Sequence, residues 1–172
     1  LGAARREQSP IRQRGVYDSY SDALNVGDNV LNALVEKTPE RAQALLQSTP
    51  SVLVPPCTAG SVDAACADAM VRHYGYRLFR RPLQEAEVSD YVGLFTRGLG
   101  ELALSADDAL AGTLAALMQA PATLYIEQLG TADGAQYRLS PFEIASVLAF
   151  GLTGSAPSPA LLDAAQGGGR VD

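Results

Sequence analysis

The sequence has few of the residues that commonly build metal or redox sites. Its 172 residues include one histidine, His73, two cysteines, Cys57 and Cys66, and no tryptophan. A tetrahedral metal site needs about four nitrogen, sulfur or oxygen ligands, and these three residues cannot complete such a set. The pattern Cys-x-x-Cys-His that attaches c-type haem does not occur either. We therefore expect no metal and no cofactor in this chain.

Long apolar runs and strand patterns are also missing. The longest apolar run, Ile144 to Leu152, is interrupted by Ser146 and Gly151, and it falls well short of the ~20 residues that span a bilayer. No stretch alternates apolar and polar residues for long enough to build a sheet. The sequence therefore predicts an all-α protein without a membrane span. Because no sequence repeat indicates a solenoid, we expect an irregular bundle of about seven helices.

Catalytic motifs are absent as well. The sequence contains no nucleophile motif, phosphate-binding loop or metal signature. Its paired carboxylates, Asp107 with Asp108 and Glu85 with Glu87, fall at the starts of predicted helices, where capping accounts for them. The sequence predicts no catalytic constellation, and whether the chain forms part of an enzyme stays open.

Charge is unevenly distributed. Four arginines against Glu7 give the first fourteen residues a charge of +3, which leaves −9 for the rest of a chain whose net charge is −6. An acidic body argues against nucleic acid as a partner. We interpret residues 1–15 as a basic flexible arm that serves docking rather than polyanion binding.

The two cysteines lie nine positions apart, on either side of a Thr-Ala-Gly-Ser turn. A disulfide between Cys57 and Cys66 fits this spacing better than two free thiols or a metal site. The entropy model credits the closure of such a loop with roughly 2–3 kcal/mol. A disulfide implies an oxidising compartment, so the protein is expected in the bacterial periplasm or outside the cell.

Two predicted helices meet at the segment Phe79-Arg80-Arg81-Pro82-Leu83, which we call the hinge. Since proline lacks an amide hydrogen and fixes φ, the first helix should end near Arg81 and the next begin just beyond Pro82. Arg77, Arg80 and Arg81 then form a positive cluster at the end of the first helix. This cluster can contact an anion or a partner, or it can lock helices together through ion pairs. The second interpretation is favoured, and the acidic candidates are Glu85, Glu87 and Glu143.

A lone histidine can act as a base or as a haem ligand. His73 shares a predicted helix face with Cys66 and Met70. This placement favours a packing role beside the hinge, and His73 remains the less favoured candidate for a ligand.

Capping residues and apolar spacing predict the other helices. A helix over residues 16–37 should be followed by a short one that begins at Thr38-Pro39, and Ser61 should cap the helix that leads to the hinge. After the hinge, apolar residues recur at helical spacing and predict a helix that faces the core. These residues are Val88, Tyr91, Val92, Phe95, Leu99 and Leu102.

Three further helix starts carry serine caps. Ser105 resembles a capping-box serine, and Ser158 precedes a proline. The clearest signal is Ser140-Pro141-Phe142-Glu143, which combines an N-cap serine, a proline and an acidic third residue. The helix that follows is apolar on nearly every side, so we expect it to be buried at the centre of the protein.

Three groups of motifs resemble a known bacterial family when they are taken together in this order. The first joins Tyr76–Leu83 to Tyr91–Phe95, the second joins Ala116–Pro121 to Leu124-Tyr125, and the third is Tyr137–Ser146. Over roughly residues 57–165 the sequence resembles uncharacterised, cytochrome-associated helical domains. These are the domain-of-unknown-function families 1595 and 1592, of planctomycete and myxobacterial type.

The resemblance implies a context for the chain. Members of these families are typically large secreted or periplasmic proteins with further helical domains, and some carry c-type haem domains. Residues 16–120 would form a helical domain that contains the hinge, and residues 121–172 would begin a second helical domain that ends in a glycine-rich linker. The chain is expected to be a middle fragment, or a cleaved or shortened relative.

The expected function is a non-catalytic helical scaffold or interaction module of an exported, cytochrome-associated protein. Its partners would be other domains or subunits of the same assembly, with no nucleic acid among them. The alternative is a part of a periplasmic oxidoreductase or electron-transfer assembly whose haem is carried by another domain or subunit.

Overall fold

The computed structural model describes residues 28–48, residue 57 and residues 62–168. Within these ranges the chain forms seven helices and one two-stranded antiparallel sheet, which confirms the all-α prediction. The predicted basic arm and the chain beyond residue 168 lie outside the described residues. The elements are α1 (Asp28–Ser48), α2 (Ala64–Phe79), α3 (Glu85–Gly100), α4 (Ala106–Gln119), α5 (Pro121–Leu124), β1 (Thr131–Asp133), β2 (Gln136–Arg138), α6 (Pro141–Thr153) and α7 (Pro159–Gln166).

The core lies where α1, α2 and α3 pack around α4. Leu110, Leu114 and Leu117 follow one another at steps of four and three along α4, and none is more than 1% exposed. This spacing places them on one face of the helix. Phe95 of α3 and Met70 of α2 are equally buried in the same cluster. The central helix of the described protein is therefore α4.

The prediction that α6 is the buried central helix is wrong. Ile144, Leu148 and Leu152 are 44%, 45% and 82% exposed, and α6 packs mainly against α7. A helix that is apolar on all sides is predicted to be buried, but its composition does not determine which of its faces packs against another helix. The buried residues of α6 are Ala145, Ser146 and Ala149. Among the described helices, none combines the length and the hydropathy that a membrane span requires.

The prediction of a new helix at Thr38 is also wrong, because α1 runs through Thr38 and Pro39 without a break. Thr38 and Ala42 are 4% and 0% exposed and lie one turn apart, while Pro39 is exposed. A proline inside a helix removes one backbone hydrogen bond. Packing of α1 against α4 outweighs this local loss.

Cys57 and Cys66 form the predicted disulfide, with 4.7 Å between their Cα atoms. Cys66 is the third residue of α2, and its backbone N–H donates to the carboxylate of Asp63 at 2.8 Å. Asp63 is therefore the N-cap of α2, whereas Ser61, the predicted cap, lies outside the described residues. The disulfide joins residue 57 to the first turn of a core helix.

The hinge has the predicted form. Helix α2 ends at Phe79, and Arg80 follows in the left-handed region with a φ of 58°. Helix α3 begins at Glu85, two residues after Leu83. The serine caps are confirmed too: Ser105, Ser140 and Ser158 each accept a hydrogen bond from the backbone N–H three residues later.

The stripe predicted on α3 is only partly buried. Val88 and Phe95 are 2% and 1% exposed, but Leu99 and Leu102 are 39% and 68% exposed. Helix α3 ends at Gly100, so Leu102 lies beyond the helical spacing on which the prediction depended.

Gly75 provides a close contact between α2 and the hinge. A Cβ atom at this position would lie 2.5 Å from Cδ1 of Leu83, whereas a Cβ atom at Gly93 of α3 would meet nothing within 4 Å. Alanine favours a helix interior over glycine by about 1 kcal/mol. We expect Gly93→Ala to stabilise the protein by up to about that amount.

We expect Gly75→Ala to be less stable than Gly93→Ala by up to about 1 kcal/mol, because the far end of the Leu83 side chain must shift to make room. Urea denaturation of both variants measures this difference. Combining Gly75→Ala with Leu83→Ala should remove the steric part of the cost. Equal stabilities of the two single variants would contradict the close contact.

Candidate functional site

The structure does not bring Arg77, Arg80 and Arg81 together as one exposed cluster. Arg77 is exposed on the last turn of α2, and no ion pair among the described residues includes it. Arg80 is only 6% exposed, and Arg81 is half-buried and paired with a carboxylate. Contact of this cluster with an anion or a partner stays a prediction, for which Arg77 offers the exposed guanidinium.

Arg80 joins the end of α2 to the end of α5. Its Nη2 atom donates to the carbonyl oxygens of Ala122 and Tyr125, both at 2.6 Å. Its Nη1 atom donates to Thr123 at 3.2 Å and to the nearby Leu78 at 2.9 Å. The last carbonyls of a helix lack partners within the helix, so the guanidinium satisfies the C-terminal end of α5.

The Arg80 charge also contacts α6. Its Cζ atom lies 5.7 Å from the centre of the Phe150 ring, which is within the range of a cation–π interaction. Burial lowers the pKa of the Arg80 guanidinium, and the negative charge of Glu127 opposes that shift. Since arginine keeps its proton under all ordinary conditions, a full positive charge is held inside the protein by carbonyls and a ring.

Arg81 and Glu87 form the predicted lock between the hinge and α3. Two parallel hydrogen bonds of 2.9 Å join the guanidinium to the carboxylate, a geometry that is stronger than a single contact. The Glu87 carboxylate also accepts from the backbone N–H of Gln84 at 2.7 Å. The hydrogen bond from Arg81 is the largest of the influences that lower the pKa of Glu87.

Glu85 pairs with Arg72, which the sequence analysis did not select. The Arg72 guanidinium donates to both Glu85 oxygens, at 2.8 and 2.7 Å, and to Asp68 at 2.8 Å. The spacing of Asp68 and Arg72, four residues apart on one helix, was the available signal. These hydrogen bonds raise the pKa of Arg72 above its usual range, and the bond to Glu85 has the largest effect. This second pair also bridges α2 and α3 across the hinge.

Glu143 forms no ion pair with an arginine of the described residues, although the sequence made it a candidate. Its Oε1 atom accepts from the backbone N–H groups of Leu129 and Gly130, at 2.7 and 2.9 Å. Its Oε2 atom accepts from Ser140 N–H at 2.7 Å, which completes the capping box of α6. Burial alone would raise the pKa of Glu143, but these hydrogen bonds outweigh it and lower the pKa.

His73 lies beside a cavity of about 330 Å³ whose lining also includes Arg72, Tyr76 and Gln166. Burial, and then the charge of Arg77, lower the pKa of the His73 imidazole, which favours the neutral ring. Among the described residues, no three His, Cys, Asp or Glu side chains are grouped so that they could hold a metal ion. A ligand role for His73 stays a prediction.

Tyr76, on the same cavity, links α2 to α6. Its ring meets the Phe142 ring edge to face, with 6.2 Å between the centres. Its hydroxyl is buried and has no hydrogen-bond partner among the described residues. This could not be predicted from the sequence, because a tyrosine on a helix predicts packing and not the hydrogen bonding of its hydroxyl.

A second cavity, of about 250 Å³, lies between the hinge, the segment after α5 and the start of α6. We call it the hinge cavity. Its charged lining consists of Arg80, Arg81, Glu127 and Glu143. The lining also includes two aromatic rings, Phe79 and Phe142, and the polar residues Gln84, Ser140 and Ser146.

Comparison with known families gives one match. Residues 66–127 match the family described as PSD5: Protein of unknown function (DUF1595). The match covers roughly a third of the 172-residue chain and spans most of α2, the hinge and α3 to α5. It confirms the resemblance to family 1595 over the helices that carry the arginines, while the resemblance to family 1592 stays a prediction. Comparison with curated proteins and with solved structures gave no match.

The Arg80 contacts predict a large effect of its removal. Arg80→Ala leaves the carbonyls of residues 122, 123 and 125, of which that of Ala122 is buried, without their donor, and should lower the free energy of unfolding by about 3 kcal/mol. The exposed Arg77→Ala is the matched control, with an expected change within about 0.5 kcal/mol. Arg80→Gly should recover about 1 kcal/mol relative to Arg80→Ala, because glycine adopts positive φ without strain.

Urea denaturation of these three variants measures the effect. Similar stabilities of Arg80→Ala and Arg77→Ala would show that the buried guanidinium does not hold α5 in place.

The lowered pKa of Glu143 predicts a pH dependence of stability. A carboxylate whose pKa is lower in the folded than in the unfolded protein stabilises the fold above the unfolded pKa, and this contribution is lost as the pH falls through the folded pKa. Glu143→Gln should therefore cost about 1 kcal/mol at pH 7. The difference from the wild type should begin to shrink below about pH 4.3, the usual glutamate value.

The measurement is thermal or urea unfolding from pH 7 to pH 3. The exposed Glu101→Gln, at the end of α3, controls for the loss of one negative charge. A Glu143→Gln deficit that stays constant over this range would contradict the assignment.

Proposed function

We propose that this chain is a non-catalytic helical scaffold or interaction module of an exported, cytochrome-associated protein or complex. The observation that carries the proposal is the apolar outer surface of α6, formed by Ile144, Leu148 and Leu152, which we call the α6 surface. Single exposed leucines are common, but three apolar side chains on successive turns form a continuous stripe. Such a stripe is typical of a surface that another helix covers.

The chemistry of the α6 surface indicates its occupant. The only charged residue of α6 is Glu143, in the first turn, and its carboxylate is turned to backbone N–H groups. Gly151 lies beside Leu148 and Leu152 with open space where a side chain would be, so a partner backbone can approach closely. We infer that the occupant is an amphipathic helix of a neighbouring domain or subunit of the same assembly.

Two further observations support the proposal. The charged groups at the hinge hold helices together: Arg80 binds carbonyls, Arg81 binds Glu87, and Arg72 binds Glu85. These interactions fit a rigid support better than a reactive site. The disulfide fits export to the periplasm or the cell exterior.

The alternative, a role in an electron-transfer assembly, depends on haem in another domain or subunit. The exposed Arg77 and the adjacent His73 would then lie at the contact, where the positive charge would favour an anionic haem-carrying partner. A visible absorption spectrum separates the two ideas. A Soret band from this chain alone would contradict the scaffold proposal, and the absence of such a band from the whole native complex would contradict cytochrome association.

The α6 surface predicts which substitutions release the chain from its assembly. The double variant Leu148→Glu and Leu152→Glu places two charges where the partner helix packs, and should abolish co-elution of the chain with the native complex in size-exclusion chromatography. Leu102→Glu is the matched control, because Leu102 is 68% exposed but lies away from α6, between α3 and α4. It should leave co-elution unchanged.

Circular dichroism of each purified variant verifies that the helices remain. A double variant that still co-elutes with the complex would rule out the α6 surface as the contact.

A further inference from the structure

The hinge cavity contains a polar group without a partner. Ser146 is only 5% exposed and lines the cavity. No hydrogen bond among the described residues includes its hydroxyl. Because this hydroxyl has no partner among the described residues, a group that enters the cavity can form a hydrogen bond with it.

The charged side chains around the cavity differ in how well hydrogen bonds within the protein satisfy them. Both arginines are engaged, Arg80 by backbone carbonyls and Arg81 by Glu87. Glu143 accepts three backbone hydrogen bonds. Glu127 makes only a longer contact, 3.9 Å from its Oε2 atom to Nε of Arg81, and its negative charge also acts on Arg80. The least satisfied charge of the cavity is therefore a carboxylate, and it favours a cationic ligand.

The shape and the walls narrow the choice of cation. A cavity of about 250 Å³ is small for a drug-sized ligand but has room for a short alkyl chain with a charged end. Phe79 and Phe142 supply apolar walls, which attract alkyl carbons, and the Arg81 guanidinium lies over the Phe79 ring at 5.6 Å. Ser146 and Glu127 supply the hydrogen-bond acceptors that the three donors of an ammonium group need.

We propose that the hinge cavity binds a primary alkylammonium group, carried either by a lysine side chain of a partner protein or by a small free amine. The ammonium donates to the Glu127 carboxylate and to the Ser146 hydroxyl, and the alkyl chain lies between the two phenylalanine rings. The acidic character of the body, −9 outside the first fourteen residues of a chain of net charge −6, attracts such a cation from solution.

This inference does not depend on the proposed scaffold function. None of the three residues of the α6 surface lines the hinge cavity. The two proposals can therefore fail separately, one by ligand titration and the other by co-elution with the complex.

The test is a ¹H–¹⁵N NMR titration of the full chain with n-butylammonium chloride. We expect saturable shifts of the backbone signals of residues 79–84, 127 and 146. The uncharged n-butanol, at the same concentrations, should bind at least tenfold more weakly. The absence of saturable shifts at these residues, or equal binding of n-butanol, would overturn the proposal.

Two variants assign the binding groups. Glu127→Gln should weaken n-butylammonium binding about tenfold, as expected for the loss of a charge-assisted hydrogen bond, and Ser146→Ala should weaken it by a smaller factor. The exposed Glu101→Gln, with the same change of charge, should leave binding unchanged. Equal binding to Glu127→Gln and Glu101→Gln would show that only the general charge of the protein attracts the amine, which would overturn the site.

Titration with the peptide acetyl-Gly-Lys-Gly-amide distinguishes a partner lysine from a free amine. The same peptide with an acetylated lysine side chain serves as the uncharged control. Tighter binding of the lysine peptide than of n-butylammonium identifies a partner lysine, and weaker binding identifies a free amine. Both outcomes support the ammonium site. Equal binding of the acetylated and the unmodified peptide would contradict it.

Discussion

The arrangement of helices at the hinge depends on one buried cation. Arg80 carries a full charge into a region where it is 6% exposed, and carbonyl oxygens at the end of α5 satisfy it. Burying a charge costs several kcal/mol unless hydrogen bonds replace the lost water. The Arg80 guanidinium therefore helps to hold α5 against α2, and its contact with Phe150 extends this link to α6.

Ion pairs near the hinge also hold the helices together. Arg72 with Glu85, and Arg81 with Glu87, each join the α2 side of the hinge to α3. The Arg72 pair is exposed and contributes little by itself, whereas the Arg81 pair is half-buried and bidentate. Glu143 fixes the start of α6 to the chain before β1. Between these contacts a small cavity remains, whose walls are held by the same residues that lock the helices.

The sequence predicted the features that follow local rules. Pro82 marked the end of α2 and the serines at 105, 140 and 158 marked helix starts, because each acts on neighbouring backbone groups. Three of the four acceptors of Arg80 lie more than forty residues away, so no local pattern indicated them. The continuity of α1 through Pro39 and the exposure of α6 depend on which helix packs where. The same holds for the hinge cavity, since Glu127 and Ser146 line one cavity only in the folded chain.

The backbone of Arg80 has a consequence for how this position can change during evolution. A φ of 58° favours glycine, whereas the carbonyls around the side chain require a guanidinium. Lysine keeps the charge but not the fork of donors, and glycine suits the backbone but supplies no donor. No other residue type meets both requirements, so the position cannot drift through tolerated intermediates unless the end of α5 changes with it.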